Sequence, residues 1–392
     1  MQGFVRYGRA AVLAAALFAA VATVSAARAA DLPKATQEML RKGHFDSSIL
    51  AGLDDELVMP PAWIEGVKKE PELKILASWD PRQFREMSAP FRERYPFVKI
   101  QYTRGSLHDR GIKTLVAYQS GRILADVIAS SSNTWIDFKE AGGLTDLRVL
   151  PNFKLLLDEN RDPGGLWIGQ KIAYRCMAYN TKLIKKTDLP KTWDDLLTNP
   201  VWRNGTLAIP DIPSIWLSML WDAKGAAWTT DFMTKLFTVV KPQLRKEGSS
   251  AVVGLTAAGE VPAFIGAADY RVREYAQKGA PVSYHCPEPV PVGVSQLMML
   301  KGGPAPNGAF MFLDWFLSKE GQLAQFIGDH SIPVHKDLEQ DARFLPFPDE
   351  VLGKKLAVRD EEKIRTEYPK LMAVYEPLWK GAGGETSPKR KD

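Results

Sequence analysis

Five histidines are the first side chains to test for chemistry: His44, His108, His285, His330 and His335. Only His330 and His335 lie close together. They flank Pro333 in a loop-like stretch with no third ligand at metal spacing, so a structural or surface role is the expectation for both. There is no G-x-S-x-G turn to expose a nucleophilic serine, no H-E-x-x-H helix to hold zinc, and no G-x-x-x-x-G-K-[ST] loop to cradle a phosphate. Catalysis is therefore not expected, and no metal or cofactor is implied. A secreted hydrolase with dispersed catalytic groups stays open as the alternative. Cys176 and Cys286 are the whole cysteine complement, too few for a disulfide framework. Two buried thiols are the favoured state and a single bridge the alternative. Neither a C-x-x-C pair nor a neighbouring His accompanies them, which argues against a metal site.

Residues better suited to recognition follow short β-type runs. Trp79 and Asp80 come after the run 73–78, and Ser130, Ser131 and Asn133 after 125–129. Asp211, Ser214 and Trp216 come after 206–209, and Asp269, Tyr270 and Arg271 after 263–266. Hydroxyls and free backbone N–H groups at helix starts suit an anionic or hydroxyl-bearing molecule, and Arg271 suits a carboxylate or phosphate. Each residue also has a plain structural reading. Trp79 and Trp216 are candidates for core packing, Ser130 and Ser214 for helix caps, and Arg271 for a solvated helix charge.

The elements that must position these residues alternate regularly. Further β-type runs fall at 98–102, 172–179 and 292–300, separated by helical stretches such as 112–120, 215–223, 270–277 and 307–317, where apolar residues recur at helical spacing. Strand, helix, strand with polar residues just past the strands is the pattern of an open, mainly parallel α/β sheet, which binds ligands beyond the carboxyl ends of its strands.

Arg6 and Arg9 precede an apolar run from 10 to 25 that ends at Ala27-Arg28-Ala29, the pattern of a secretory signal peptide over residues 1–29. The run is shorter than the roughly 20 apolar residues a membrane anchor needs. It holds no cysteine for a lipid, so a freely diffusing periplasmic protein is expected. Cleavage removes Arg6, Arg9 and Arg28 and lowers the formal charge from +5 to +2. That near balance argues against nucleic acid as a partner. The cluster Lys241, Arg245 and Lys246 is broken by Pro242, Leu244 and Glu247 and reads as a solvated face. The remaining chain of about 360 residues exceeds what one core usually serves, so two lobes are expected. The segment 30–71 reads as an N-terminal extension broken at Pro60-Pro61, and 381–392, rich in Gly, Ser, Lys and Arg, as a disordered tail.

Several ordered segments together resemble the extracellular solute-binding proteins of ABC importers with the type II periplasmic binding fold, in the branch of ferric, polyamine, thiamine and sugar-phosphate binders. They are Phe91-Arg92-Glu93-Arg94-Tyr95-Pro96, Ala125-Asp126-Val127-Ile128, Glu140-Ala141-Gly142-Gly143-Leu144, Tyr179-Asn180-Thr181, Ala258-Gly259-Glu260-Val261-Pro262 and Ser318-Lys319-Glu320-Gly321-Gln322. The resemblance implies two lobes, each a mainly parallel sheet flanked by helices, joined by two hinge strands. Lobe one would comprise 72–174 and 292–380, and lobe two 175–291. It further implies a monomer that captures a small-molecule solute between the lobes and delivers it to a membrane permease, with a ligand sensor as a second possibility. One departure bears on the solute. Ferric binders of this branch commonly place two adjacent tyrosines after the Gly-Glu segment, whereas this chain has Asp269-Tyr270-Arg271, one phenol beside a cation, which disfavours a bare ferric ion. An anionic organic solute, a chelated metal and a polyamine remain open.

Overall fold

The computed structural model describes residues 32–106, 108–129, 134–339 and 341–385. The signal peptide expected at 1–29 lies outside them. Among the described residues no helix is long and apolar enough to cross a membrane.

Among the described residues ten strands form one continuous hydrogen-bonded sheet. In chain order they are β1 (Leu73–Ala77), β2 (Ile100–Arg104), β3 (Val127–Ala129), β4 (Ile168–Asn180), β5 (Leu207–Pro210), β6 (Gln243–Arg245), β7 (Ala263–Ala268), β8 (Val282–His285), β9 (Val290–Met299) and β10 (Leu356–Val358). Spatially the order is β2-β1-β3-β9-β4-β7-β5-β6, with β10 beside β9 and β8 beside β4. The pairs β1/β2, β1/β3, β5/β6 and β5/β7 are parallel. Sheets of this kind are covered on both faces, and accordingly every residue of β3, β5 and β7 is buried. The short apolar runs Val127-Ile128-Ala129 and Leu207-Ala208-Ile209 have no polar face to offer water.

The two long strands run antiparallel to each other and link the halves. The lower part of β4 pairs with β9 from Ile168↔Leu297 to Tyr174↔Val292, and its upper part pairs with β7 from Arg175↔Ala268 to Tyr179↔Ala263. β9 in turn pairs with β3, Ala129 opposite Leu297. Lobe one therefore grows outward from β9 through β3, β1 and β2, and lobe two from β4 through β7, β5 and β6. Both sets of parallel strands end, at their carboxyl termini, beside the shared stretch of β4 and β9. This is the type II periplasmic binding architecture, two lobes on a pair of hinge strands.

The segment preceding β1 closes lobe one. Its first helix, Lys34–Gly43, packs on the helices Ala89–Arg94 and Lys319–Asp329. The buried Glu320 carboxylate is the hub of this contact. Arg94 donates to it at 2.7 and 2.9 Å, the Trp315 indole at 2.8 Å, and the Thr36 hydroxyl at 2.5 Å. A carboxylate so deep is tolerable because each lone pair is used and one partner is charged. A second anchor is Glu56, whose carboxylate accepts from the Lys319 backbone N–H at 2.7 Å and lies 3.4 Å from His335 Nε2 and from Lys319 Nζ. Glu56, His335 and Asp337 are close enough to suggest metal ligands. Lys319, 3.2 Å from Asp337, supplies positive charge there.

The structure corrects three expectations. Cys176 and Cys286 are joined in a disulfide, not held as free thiols. The register Met177↔His285 between β4 and β8 sets residues 176 and 286 opposite one another, with Cα atoms 5.0 Å apart, although 110 positions separate them in sequence. Next, the chain reaches lobe two again well before its end, Phe347 stacking on Tyr284 and Glu350 accepting from the Cys286 N–H. The last helix, Glu361–Gly381, lies on lobe two, not lobe one. Its Leu371, Tyr375 and Trp379 join the cluster of Trp193, Trp216 and Phe232, and the Tyr375 hydroxyl donates to the Pro210 carbonyl at 2.7 Å. Apolar residues at 371, 375 and 379 recur every four positions, which gives the helix one face to bury. Finally, residues 381–385 fold back, the Trp379 indole donating to the Glu385 carbonyl at 2.9 Å; the rest of the expected disordered tail, 386–392, lies outside the described residues.

Because the bridge closes a long loop, the double variant C176S/C286S is expected to unfold with roughly 2–5 kcal/mol less stability. Differential scanning calorimetry should show its melting temperature lower by several degrees. An unchanged melting temperature would mean that the cross-link constrains little.

Candidate functional site

Alternation along the hinge strands builds the floor of the site. On β4, Lys171, Ala173 and Arg175 are half-exposed, whereas Ile172, Tyr174 and Cys176 are buried; on β9, Gly293 and Ser295 are half-exposed and Val292 and Val294 buried. The register pairs Lys171 with Ser295 and Ala173 with Gly293, so all five residues share one face. The centre of this floor is small, and its two ends are cationic.

Two adjoining cavities stand on the floor and meet at Ala173. The first, about 180 Å³, lies between Ser78, Trp79 and Gln83 of lobe one, Asp269 and Tyr270 of lobe two, and the segment Asp329 to Ile332. The second, about 170 Å³, is bounded by Arg175, Ile215, Met219, Gly293, Ser295, Gln296 and Arg359. A larger opening of about 810 Å³ continues from Gln296 and Arg359 toward Trp135, Trp167 and Asp222. These volumes suit a small solute enclosed between the lobes.

Asp269 stands out electrostatically. As the first residue of the helix Asp269–Gln277 it follows directly on β7, and its side chain is buried, yet neither carboxylate oxygen has a hydrogen-bond partner among the described residues. Burial pushes its pKa up to about 7, opposed by the helix-start N–H groups of residues 269 and 270, which come near without hydrogen-bonding geometry, and by Arg175 and Arg273. Tyr174 on β4 and Tyr284 on β8 also feel its charge, and burial holds both phenols neutral. Arg175 itself has no hydrogen bond or ion pair among the described residues. Lys171 reaches Asp329 only at 4.0 Å, and that carboxylate already accepts from the Trp79 indole at 3.1 Å and the Ser331 N–H at 2.9 Å.

Of the residues singled out from sequence, the fold brings Trp79, Asp269 and Tyr270 together in the first cavity. Trp79 is buried and Tyr270 half-open to solvent. Asp80 caps the helix Pro81–Met87, accepting from the Arg82 N–H, and lies 3.5 Å from Arg104. Arg271 pairs with Glu274 and sits 5.8 Å from the Tyr270 ring. Asp211 and Ser214 stand on the loop after β5, the Ser214 carbonyl accepting from Ser218, and their neighbour Ile215 reaches the second cavity. Trp216 is fully enclosed in the core of lobe two, 5.5 Å from the Trp193 ring, and so shapes that wall from behind. Ser130, Ser131 and Asn133 lie outside the described residues. The sequence reading passed over Lys171, Arg175, Ser295 and Arg359. Lys171 and Arg175 carried a signal, two cations on one face of an otherwise apolar extended run.

The far side of the opening is bridged by ion pairs. Lys139 Nζ lies 2.5 Å from Glu362, and Arg365 lies 3.1 Å from both Asp137 and Glu140. Asp137, Lys139 and Glu140 belong to the lobe one helix Thr134–Glu140, while Glu362 and Arg365 open the last helix on lobe two.

With its enclosed cleft between two sheet-based lobes on hinge strands, the molecule has the form of a solute-binding protein. A family model described as bacterial extracellular solute-binding protein matches residues 77–323, and the chain belongs to that family. Proteins of this kind are periplasmic; they bind small molecules and work with the membrane permease of an ABC transporter. Similar solved structures include iron-bound HitA from Pseudomonas aeruginosa (21% identity, TM-score 0.63, covering 79% of this chain and 99% of that one). IdiA, or FutA, from Trichodesmium in complex with iron and citrate is 19% identical with TM-score 0.64, covering 80% and 100%. AfuA from Actinobacillus pleuropneumoniae with fructose-6-phosphate bound is 22% identical with TM-score 0.57, covering 78% and 98%. A search of curated protein sequences finds no match. The helices before β1 lie outside the family match.

Two outcomes follow from this geometry. An acid whose folded pKa is raised to about 7 from 3.8 adds stability in full below about pH 4, and loses it as pH rises through 7. Asp269→Asn, measured against wild type because the buried Asp314 and Glu339 are raised to about 7 and about 8 and titrate nearby, should melt like wild type at pH 4 and above it at pH 8. The full difference is on the order of 3–4 kcal/mol, and a gap that does not change with pH would contradict the assignment. Exposed pairs contribute at most about 1 kcal/mol each and are screened by salt. Arg365→Ala should therefore enlarge the radius of gyration of the ligand-free protein modestly in low salt, by small-angle scattering, and not in 1 M salt.

Proposed function

We propose that the cleft captures a small anionic solute, one per chain, by closure of the two lobes, and that the chain hands this solute to an ABC permease. The observation that carries the reading is the hinge floor, where the Arg175 side chain faces the cleft with no ion pair among the described residues and Lys171 has only a 4.0 Å contact with Asp329. A cation without a close partner in a narrow cleft favours an anion, and Arg175 offers the fork geometry that carboxylates and phosphates accept.

The same charges weigh against the other solutes open at the outset. A polyamine would meet Lys171 and Arg175 as like charges, and a bare ferric ion would meet them with only Tyr270 as a phenol donor. Iron carried within an anionic chelate fits the charge. Two similar structures hold molecules of this character, one with citrate beside iron and one with a sugar phosphate. We assign lobe one to 72–174 and about 292–345, and lobe two to 175–291 with the segment from Phe347 and the last helix docked on it. Capture rather than turnover is supported by the family, whose members bind solutes.

Binding should raise the melting temperature by mass action. The test is thermal shift and titration calorimetry with a panel of phosphate esters, di- and tricarboxylates, ferric citrate and spermidine. At least one anion should bind with a stoichiometry of one and without product formation, and Arg175→Ala should weaken it about tenfold to a hundredfold. Binding of spermidine with no response to any anion would overturn the reading, and turnover of the bound molecule would replace it with an enzyme.

A further inference from the structure

From the placement of Asp269 we infer that it is the specificity residue of the cleft, and that the solute brings a hydroxyl to it as well as a negative charge to the floor. This rests on the anion reading above and narrows it to hydroxyl-bearing organic anions.

Asp269 is 2% exposed and lines the first cavity, but both its oxygens lack a hydrogen-bond partner among the described residues. Buried polar groups in native proteins are almost always satisfied, and leaving one unmade costs more than a typical hydrogen bond contributes. Other buried acids keep at least one close partner, Glu361 included, which retains Arg359 at 2.8 Å although its second oxygen has none. Glu320 is served by Arg94, Trp315 and Thr36, and Asp314 by Asn152. Asp269 differs from them in having neither oxygen met while facing the cavity where a solute would sit, so the missing donor is one the solute supplies.

The surroundings decide which donor. Arg175 on β4 and Arg273 on the helix that starts at Asp269 act on its charge, and Lys171 completes a cationic rim on the floor. An ammonium group brought to Asp269 would have to pass these cations, whereas a neutral hydroxyl is not repelled. The floor between the charges is Ala173, Gly293 and Ser295, small enough to let a short carbon skeleton lie flat between the anion site and the Asp269 wall. A simple inorganic anion has no group to reach that wall and leaves the carboxylate unmet.

The proposal is tested with matched pairs that differ in a single hydroxyl: 2-hydroxypropyl phosphate against propyl phosphate, citrate against tricarballylate, and malate against succinate. Titration calorimetry on the wild-type protein at pH 8, where Asp269 is ionised, should show at least one hydroxylated member binding about tenfold to a hundredfold tighter than its deoxy partner, the range for a hydrogen bond to a charged acceptor. Asp269→Leu, close in size and apolar, should bring the two members of that pair to within about threefold of each other while still binding the deoxy anion. Arg175→Ala should instead weaken both members equally. Equal binding within every pair by the wild type overturns the role of Asp269 and leaves anion capture standing. Failure of all six anions to bind a protein that melts cooperatively overturns the proposal itself. Retained discrimination in Asp269→Leu would assign the hydroxyl to another group and likewise refute it.

Discussion

The pairing of β4 with β9 is the constraint on which the rest of this structure depends. Among the described strands these two are shared by both lobes, and their register decides which side chains face the cleft. A slip of one residue would turn Lys171, Ala173 and Arg175 into the core and Ile172, Tyr174 and Cys176 toward solvent, because the side-chain period of a strand is two. It would also separate Cys176 from Cys286, which meet only because β8 reads along the same strand. The bridge, the floor and the hinge are consequences of one alignment.

Around that alignment the two lobes solve the same problem differently. Lobe one draws on the segment before β1, whose Thr36 and Glu56 reach the start of the helix Lys319–Asp329 and the Glu320 hub. Lobe two draws on the end of the chain, where Leu371, Tyr375 and Trp379 cover its aromatic core. Both additions pack on the outer sides and leave the carboxyl ends of the parallel strands free to face each other. Among the described residues Asp269 is the buried acid of that inner side with neither carboxylate oxygen partnered, and its raised pKa follows from its burial.

Much of this was legible in the residues. The alternation of apolar runs and helical spacings gave the sheet class, and the stretches 172–179 and 292–300 read correctly as extended and buried, though β4 begins earlier, at Ile168. The strands β6, β8 and β10 escaped notice. Gln243-Leu244-Arg245 and Leu356-Ala357-Val358 are only three residues each, and a strand so short is made by the edge it joins, not by its own propensity. Loop position identified Trp79, Asp269 and Tyr270, but it equally nominated Trp216, since a tryptophan past a strand looks the same whether its ring turns outward or, as here, against Trp193.

The sequence by itself determined the longer elements and their order, because periodicity and turn residues are local properties that each segment carries with it. It also contained the cations Lys171 and Arg175, at a spacing that places them on one face of a strand. Only the tertiary structure decided which face that was, which cysteine met which, and which lobe received the last helix. Those outcomes depend on strand register and on contacts between residues more than a hundred positions apart, and no local pattern encodes either.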